Sequence, residues 1–269
     1  MYTQRSKYWP AYTWKIQTSY SSKIKSNLLP EFNISESEFE KHYFDIFHKI
    51  NASFYHLEHL KENEQIALET GKAIAKIKIP GTEGLAGIAG SPYEPIEYEY
   101  EALLGTIKSA LDFMSILLAK GLSRKEDNIV SLANNLAKSK TTTTSLEGKI
   151  NKLLNSKYKL FIDEYKGNKP GSKSKRNFAT HQGSLPTGTI NIPINSPTSP
   201  LLSKALNPND PYPHSSVRTA QNLTEYCEDQ FYKTCDLLIE ILNLITSAKL
   251  DPDQKLSVYQ KRTNQSKEK

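Results

Sequence analysis

Cysteine is scarce in this chain, which has two among its 269 residues. Cys227 and Cys235 lie eight positions apart within one helical pattern, too far for a disulfide inside that helix and too few for a zinc site of their own. This scarcity excludes a small domain held together by disulfides. We expect both thiols to be reduced and buried, as in a cytosolic protein.

Long apolar runs are also missing, because none reaches the roughly 18 residues that a membrane-spanning helix requires. The N-terminal stretch MYTQRSKYWPAYTW lacks the uninterrupted apolar centre of a secretory signal. Hydrophobic residues still make up 37% of the chain, and runs such as CDLLIEILNLI need burial. We expect a soluble, cytoplasmic protein with a core, whose polar excess lies in loops and tails.

Strand signals are few, and the alternating stretch TINIPI, residues 189–194, is the one good β pattern. Helical periodicity dominates instead. A helix beginning at Ser35 carries an aromatic face at three-to-four spacing, and another over 96–120 carries a leucine-rich face and stops at Gly121. The sequence predicts an all-α fold, a bundle of about five or six helices with a small β-hairpin insertion. The glycine-rich stretch GTEGLAGIAG, residues 81–90, matches no nucleotide-binding pattern and is predicted to be a flexible loop.

Composition divides the chain into three parts. Residues 1–33 show no sustained period and are predicted to form an irregular N-terminal arm. Residues 34–250 are predicted to form the helical domain, with a loop and β insertion around 183–216. Residues 251–269 have the composition of a charged, flexible tail.

Positive charge is in excess, with a net charge of +6, and it gathers in KGNKPGSKSKR, residues 166–176. A basic cluster permits nucleic-acid binding without proving it. Lys173 and Lys175 are candidate RNA-binding residues, because they lie directly before the stretch whose residue types best suggest chemistry.

That stretch is RNFATH, residues 176–181. Cleavage of RNA through the ribose 2′-hydroxyl needs a group that moves protons near neutral pH, which the His181 imidazole can do. It also needs a cation for the charge that develops on phosphate, which the Arg176 guanidinium supplies. Asn177 would bind the imidazole or the phosphate, and this chemistry requires no metal and no cofactor. The alternative is a solvated basic loop in which His181 caps a turn before Gly183, since short motifs recur by chance.

RNFATH is similar to the R-x4-6-H signature of the HEPN superfamily, in which a polar residue follows the arginine. The helix EALLGTIKSALDFMSILLAKGL, residues 101–122, also resembles the HEPN helix that precedes this motif. The resemblance covers about 35–248, and only the six-residue signature is specific.

The resemblance implies a small helical bundle that forms a homodimer and brings two motifs together in one cleft. It also implies a metal-independent endoribonuclease of a toxin–antitoxin or other defence system, with Arg176 and His181 as the catalytic pair and Asn177 as the intervening polar residue. RNA would be the substrate, and an antitoxin or another protein would be a partner. One HEPN subgroup carries a modified tyrosine two positions after the histidine, where this chain has Gly183, so regulation by that route is in doubt.

Other HEPN proteins bind ligands or scaffold complexes without cutting, so the alternative function is a non-catalytic helical interaction or nucleotide-binding module. Its sequence support is the strongly aromatic first helix and the Pro-rich segment after the motif, either of which would serve as a docking surface.

Three further groups of polar residues have two interpretations each. Asp112 lies among apolar residues, so it either faces inward and supports Arg176 as an ion-pair partner or lies on the polar edge of its helix. Glu99, like Glu97 and Glu101, is predicted to lie on the surface. His56 and His59 have a spacing that suits metal ligands only if a third ligand comes from elsewhere, and a surface or packing role is more common.

Overall fold

The structure, a computed structural model, describes residues 27–76, 85–87, 94–166, 191–193, 204–205 and 221–247. Their contacts divide them into two compact units. The first unit contains residues 27–51, 109–159 and 233–247. The second unit contains residues 52–76, 85–87, 94–108, 160–166, 191–193, 204–205 and 221–232.

Helices make up most of the described residues, which confirms the predicted all-α class. The helix predicted to begin at Ser35 extends over 41 residues. The helices are α1 (Glu36–Lys76), α2 (Glu94–Gly121), α3 (Ile129–Lys138), α4 (Leu146–Lys152), a π-helical turn (Leu153–Lys157), α5 (Lys159–Asp163) and α6 (Leu223–Ile245).

The predicted apolar faces of the long helices are buried. Burial of this much aliphatic and aromatic surface is the main favourable contribution to folding. On α1 the buried face consists of Phe39, Tyr43, Phe47, Ile50, Phe54 and Leu57. On α2 it consists of Leu103, Leu104, Ile107, Leu111, Met114, Leu117 and Leu118. The aromatic face of α1 therefore belongs to the core, and the prediction that it is a docking surface is wrong.

By length and composition alone, α2 would also qualify as a membrane-crossing helix, the one such helix in the described part of the chain. In its most apolar window, 56% is buried inside the protein, and a buried core helix passes the same test. Cys227 and Cys235 are both on α6, buried and free of disulfides, and burial raises the pKa of the Cys235 thiol.

In the first unit, α1 begins with a capping box. The Ser35 hydroxyl accepts a hydrogen bond from the Glu38 backbone N–H at 3.3 Å and donates to the Glu38 carboxylate at 3.1 Å. The same carboxylate lies 2.9 Å from the Lys120 ammonium in the last turn of α2. Bonds from Lys120 and Ser35 lower the pKa of Glu38. The start of α1 is thus tied to the end of α2.

The end of α2 depends on two residues. A Cβ at Gly121 would overlap the buried Phe32 ring, so only glycine permits this close approach. The left-handed residue comes two positions later, at Ser123 with φ 56°. There the Arg124 N–H bonds to the Ala119 carbonyl at 2.7 Å and the Ser123 N–H to the Lys120 carbonyl at 3.0 Å, as in a Schellman motif. Gly121 ends the helix as predicted, but Ser123 makes the turn.

Two short helices of the first unit, α3 and α4, are capped by side chains. Asn128 accepts from the Ser131 N–H at the start of α3, and Ser145 accepts from the Gly148 N–H at the start of α4. Asn155, in the π-helical turn, donates to the Ala133 carbonyl at 2.7 Å. These bonds fix the short helices, which are too short to be stable alone.

In the second unit, two strands form an antiparallel pair, β1 (Leu85–Gly87) with β2 (Asn191–Pro193). β2 lies inside the predicted TINIPI strand, but it pairs with a segment far away in the chain. The predicted hairpin is therefore not confirmed. β1 lies in the glycine-rich stretch, so the prediction that this stretch is wholly a flexible loop is wrong.

Candidate functional site

The motif RNFATH lies outside the described residues, as do Lys173 and Lys175. The roles of Arg176, Asn177 and His181 therefore stay predictions. The nearest described residue before the motif is Lys166, three positions after the last residue of α5, and β2 is the next described segment after the motif. Both of these flanking segments belong to the second unit.

Asp112 has a structural contact of its own. It is half-buried on α2, and its Oδ1 accepts a hydrogen bond from the Ile129 backbone N–H at 3.3 Å. This N–H is one of the free donors in the first turn of α3, so Asp112 helps to cap that helix. Its support of Arg176 stays a prediction.

The second unit brings two imidazoles to one carboxylate. Oε2 of Glu99, on α2, lies 2.7 Å from Nδ1 of His56, on α1, and its Oε1 lies 3.8 Å from Nδ1 of His59. The Tyr55 ring packs on the His59 ring with centroids 4.1 Å apart, and meets the His56 ring edge-on at 5.4 Å. The Glu99 side chain is only 20% exposed, so this predicted surface residue is half-buried.

We name Tyr55, His56, His59 and Glu99 the imidazole cluster. In the described ranges, no group of three or more His, Cys, Asp or Glu side chains is placed to hold a metal ion. Glu99 instead accepts the Nδ1 proton of His56, an arrangement that fixes the ring and its tautomer. Sequence reasoning missed this pair because 43 residues separate its members and no local pattern links them.

A cluster of buried tyrosines lies between α2, α6 and the end of α5 in the second unit. The Tyr226 hydroxyl donates to Glu164 at 2.7 Å, and the Tyr165 hydroxyl donates to Gln230 at 3.0 Å. The Tyr100 ring meets the Tyr226 ring edge-on, with centroids 6.2 Å apart. Burial raises the pKa values of all three phenols well above the usual value, so they stay neutral. Tyr165 and Tyr226 act as hydrogen-bond donors, whereas the buried Tyr100 hydroxyl has no partner among the described residues.

In the second unit, two neighbouring charged residues of α1, Lys61 and Glu64, differ in how completely their polar atoms are paired. The Lys61 ammonium lies 2.8 Å from Glu228 and 2.9 Å from Glu58. Burial alone would lower the pKa of Lys61, but these two carboxylates outweigh it and raise the pKa. Glu64 accepts from the Thr224 hydroxyl through Oε2, whereas its buried Oε1 has no hydrogen-bond partner among the described residues. Burial therefore raises the pKa of Glu64.

An open pocket of about 450 Å³ lies in the first unit, after the end of α2. It is lined by Ser123, Arg124, Lys125, Glu126 and Asn135. The Arg124 guanidinium lies 3.3 Å from Glu147 and 3.7 Å from Glu126. The two carboxylates balance the charge of the arginine. Because Glu147 lies on α4, the contact joins the α2–α3 connection to that helix.

No family model, curated protein or solved structure matches this chain. The HEPN relationship therefore stays a prediction that rests on the motif and on the helix before it.

Proposed function

We propose that this protein is a HEPN-like, metal-independent endoribonuclease that cleaves RNA through the ribose 2′-hydroxyl. The observation that carries the proposal is the RNFATH sequence in a chain whose described residues are mostly helical. It supplies the two groups that this reaction needs, an imidazole for proton transfer and a guanidinium for the charge on phosphate.

In the proposed reaction, one imidazole removes the proton of the 2′-hydroxyl or gives one to the leaving oxygen. His181 takes one of these roles, and Arg176 stabilises the pentacoordinate phosphorane. Lys173 and Lys175 attract the RNA backbone. The substrate is single-stranded or loop RNA, whose 2′-hydroxyl is accessible. The products are a cyclic phosphate and a 5′-hydroxyl.

The setting belongs to the same proposal. The protein acts in the cytoplasm as a homodimer, in a defence or toxin–antitoxin system in which an antitoxin or another protein controls it. Asn177 orients the imidazole or the phosphate, and Asp112 supports Arg176.

The test is cleavage of total and synthetic RNA in EDTA, with product ends mapped, by the wild type and by His181→Ala. We expect the wild type alone to cleave and to leave cyclic phosphate ends. Cleavage that survives His181→Ala, or that vanishes with the chelator, contradicts the mechanism.

A second candidate is a non-catalytic helical interaction module. The observation that favours it is the exposure of large apolar side chains in the second unit, with Leu160 83% and Tyr98 65% exposed. Exposed apolar groups of this size are typical of contact surfaces when they adjoin one another. For this function, Leu160→Lys would weaken partner binding or self-association, whereas Arg176→Ala would leave both unchanged.

A further inference from the structure

The pocket after the end of α2 is lined entirely by polar residues of the first unit, Ser123, Arg124, Lys125, Glu126 and Asn135. Its volume of about 450 Å³ lies in the range of small-molecule sites, roughly 300–1,000 Å³. Four of its five residues are consecutive in the chain, in the connection between α2 and α3. What this pocket can bind depends on which polar atoms these side chains leave unpaired.

Three side chains of the pocket have hydrogen-bond donors to spare. Lys125 and Ser123 are exposed, and within the described part of the chain neither the ammonium of the one nor the hydroxyl of the other has a polar partner. Arg124 Nη2 lies 3.3 Å from Glu147, which leaves Nη1 without a partner among the described residues. Nη1 is not among their buried unpartnered atoms, so it is open to solvent.

Carboxylates hold the Arg124 guanidinium without using all of its donors. Glu147 contacts Nη2, and Glu126 lies 3.7 Å from Nε, a distance too long for a hydrogen bond. The buried Nε therefore has no hydrogen-bond partner in the described ranges. An arginine that is already held in this way loses little side-chain freedom when it binds an anion.

Glu126 is the one acidic residue of the lining, and both of its oxygens already have donors. Oε1 accepts from the Asn135 amide and Oε2 from the Lys125 backbone N–H, each at 3.1 Å. Burial raises the pKa of Glu126, but hydrogen bonds, chiefly that from Asn135, outweigh it and lower the pKa. A ligand that enters the pocket thus meets two cations and a hydroxyl beside a carboxylate that is charged and hydrogen-bonded.

These donors suit a phosphate group. Lysine binds phosphate as a point charge, and arginine binds it with the forked donors of its guanidinium. A phosphate monoester presents three terminal oxygens to the three open donors, whereas a carboxylate presents two. The pocket volume exceeds that of a phosphate group, so it has room for the small group to which the phosphate is attached.

We propose that this pocket binds the phosphate group of a small phosphorylated compound, with Lys125, Arg124 and Ser123 as the donors. The proposal goes beyond the proposed function, because the pocket contains no residue of RNFATH and its ligand is bound without being cleaved.

The test follows the backbone amide signals of the isotope-labelled full chain by NMR while glycerol phosphate is added at constant ionic strength. Two other probes are acetate, a carboxylate, and a short single-stranded DNA without terminal phosphates, which carries phosphodiesters alone. The variants are Lys125→Gln, which removes a side chain without a described polar partner, and Arg124→Lys, which keeps the charge toward Glu147. Lys41→Gln is the matched control, because Lys41 is exposed on α1 in the same unit and does not line the pocket.

We expect glycerol phosphate to shift the signals of residues 123–126 with the same Kd in the wild type and in Lys41→Gln. Lys125→Gln should raise this Kd about tenfold or more, since a hydrogen bond to a charged group is lost. Arg124→Lys should also raise it, because lysine has no forked donor. Acetate and the DNA should bind at these residues at least about tenfold more weakly than glycerol phosphate.

Two results overturn the site, namely no shift at residues 123–126 in the wild type and an equal Kd for Lys125→Gln and the wild type. Acetate that binds as tightly as glycerol phosphate overturns the assignment to phosphate. DNA that binds there as tightly overturns the assignment to a small compound and indicates a nucleic-acid backbone. Because cleavage is not measured, each of these results leaves the proposed function standing.

Discussion

Glu99 on α2 holds His56 on α1, with 2.7 Å between Oε2 and Nδ1. The contact joins two helices inside the second unit, and both side chains are mostly shielded from water, at 20% and 23% exposure. A charged hydrogen bond in such a place contributes more than one on the open surface. The pair therefore has a measurable part in the stability of the fold.

Replacing Glu99 tests the structural part. We expect Glu99→Ala to lower the free energy of unfolding by about 1–3 kcal/mol, because His56 loses its acceptor. The measurement is denaturant unfolding at neutral pH. Glu62→Ala is the control, since Glu62 is exposed on α1, the helix that carries His56, and it should change stability by less than about 0.5 kcal/mol. Equal effects of the two variants would show that the contact is absent in solution.

Two glycines of α2 should respond to alanine in opposite directions. A Cβ at Gly121 overlaps the Phe32 ring, so we expect Gly121→Ala to destabilise the protein by about 1–3 kcal/mol. A Cβ at Gly105 meets nothing within 4 Å, so Gly105→Ala should stabilise it by about 0.5–1 kcal/mol through helix propensity. Thermal unfolding of both variants measures the difference, and a stabilised Gly121→Ala variant would contradict the packing of Phe32.

Ser123 carries a backbone conformation that favours glycine. At φ 56°, a residue with a Cβ is disfavoured by about 1 kcal/mol, and glycine is not. We expect Ser123→Gly to raise the free energy of unfolding by up to about that amount, and Ser123→Val to lower it, since a β-branched residue fits this conformation poorly. If Ser123→Gly is less stable than the wild type, α2 does not end in this turn.

Glu64 should make stability depend on pH. Burial raises its pKa in the folded protein above the ordinary 4.5, so the folded state holds the proton more tightly than the unfolded state does. The stabilisation is full below pH 4.5 and is lost as the pH rises through the raised pKa. Glu64→Gln removes this titration while keeping an acceptor for Thr224.

The measurement for Glu64 is unfolding of both proteins from pH 4 to pH 8. We expect the free energy of unfolding of Glu64→Gln to increase relative to that of the wild type as the pH rises, by about 1 kcal/mol near neutrality. A difference between the two proteins that stays constant across this range would mean that Glu64 is not buried in solution.

The local sequence pattern was sufficient to predict the long helices and their buried faces. The three-to-four spacing of Phe39 and Tyr43, and of Leu103 and Ile107, identifies the core side of α1 and α2 because helix geometry determines which residues share a face. The turn at Ser123 was not predictable in this way, since Gly121 offers the stronger local signal for a helix end. Glycine is required at position 121 because the Phe32 ring packs against it.

Contacts between segments that are far apart in the chain could not be predicted from the sequence. The pairing of β1 with β2 and the contact of Glu99 with His56 join positions far apart in the chain, and no spacing rule connects them. Glu99 looks like a surface residue because glutamate seldom lies in a protected place without a partner, and its partner is visible only in the fold. The chemistry of RNFATH is suggested by residue types alone.

The most direct measurement is the single-turnover rate of cleavage of one labelled RNA, in EDTA, by the wild type, His181→Ala, Arg176→Ala and the control His48→Ala. The account predicts cleavage by the wild type and the control at equal rates, with cyclic phosphate ends, and a loss of about 10²-fold or more in each motif variant. Equal rates for all four proteins, or no cleavage by the wild type on any RNA, would contradict it.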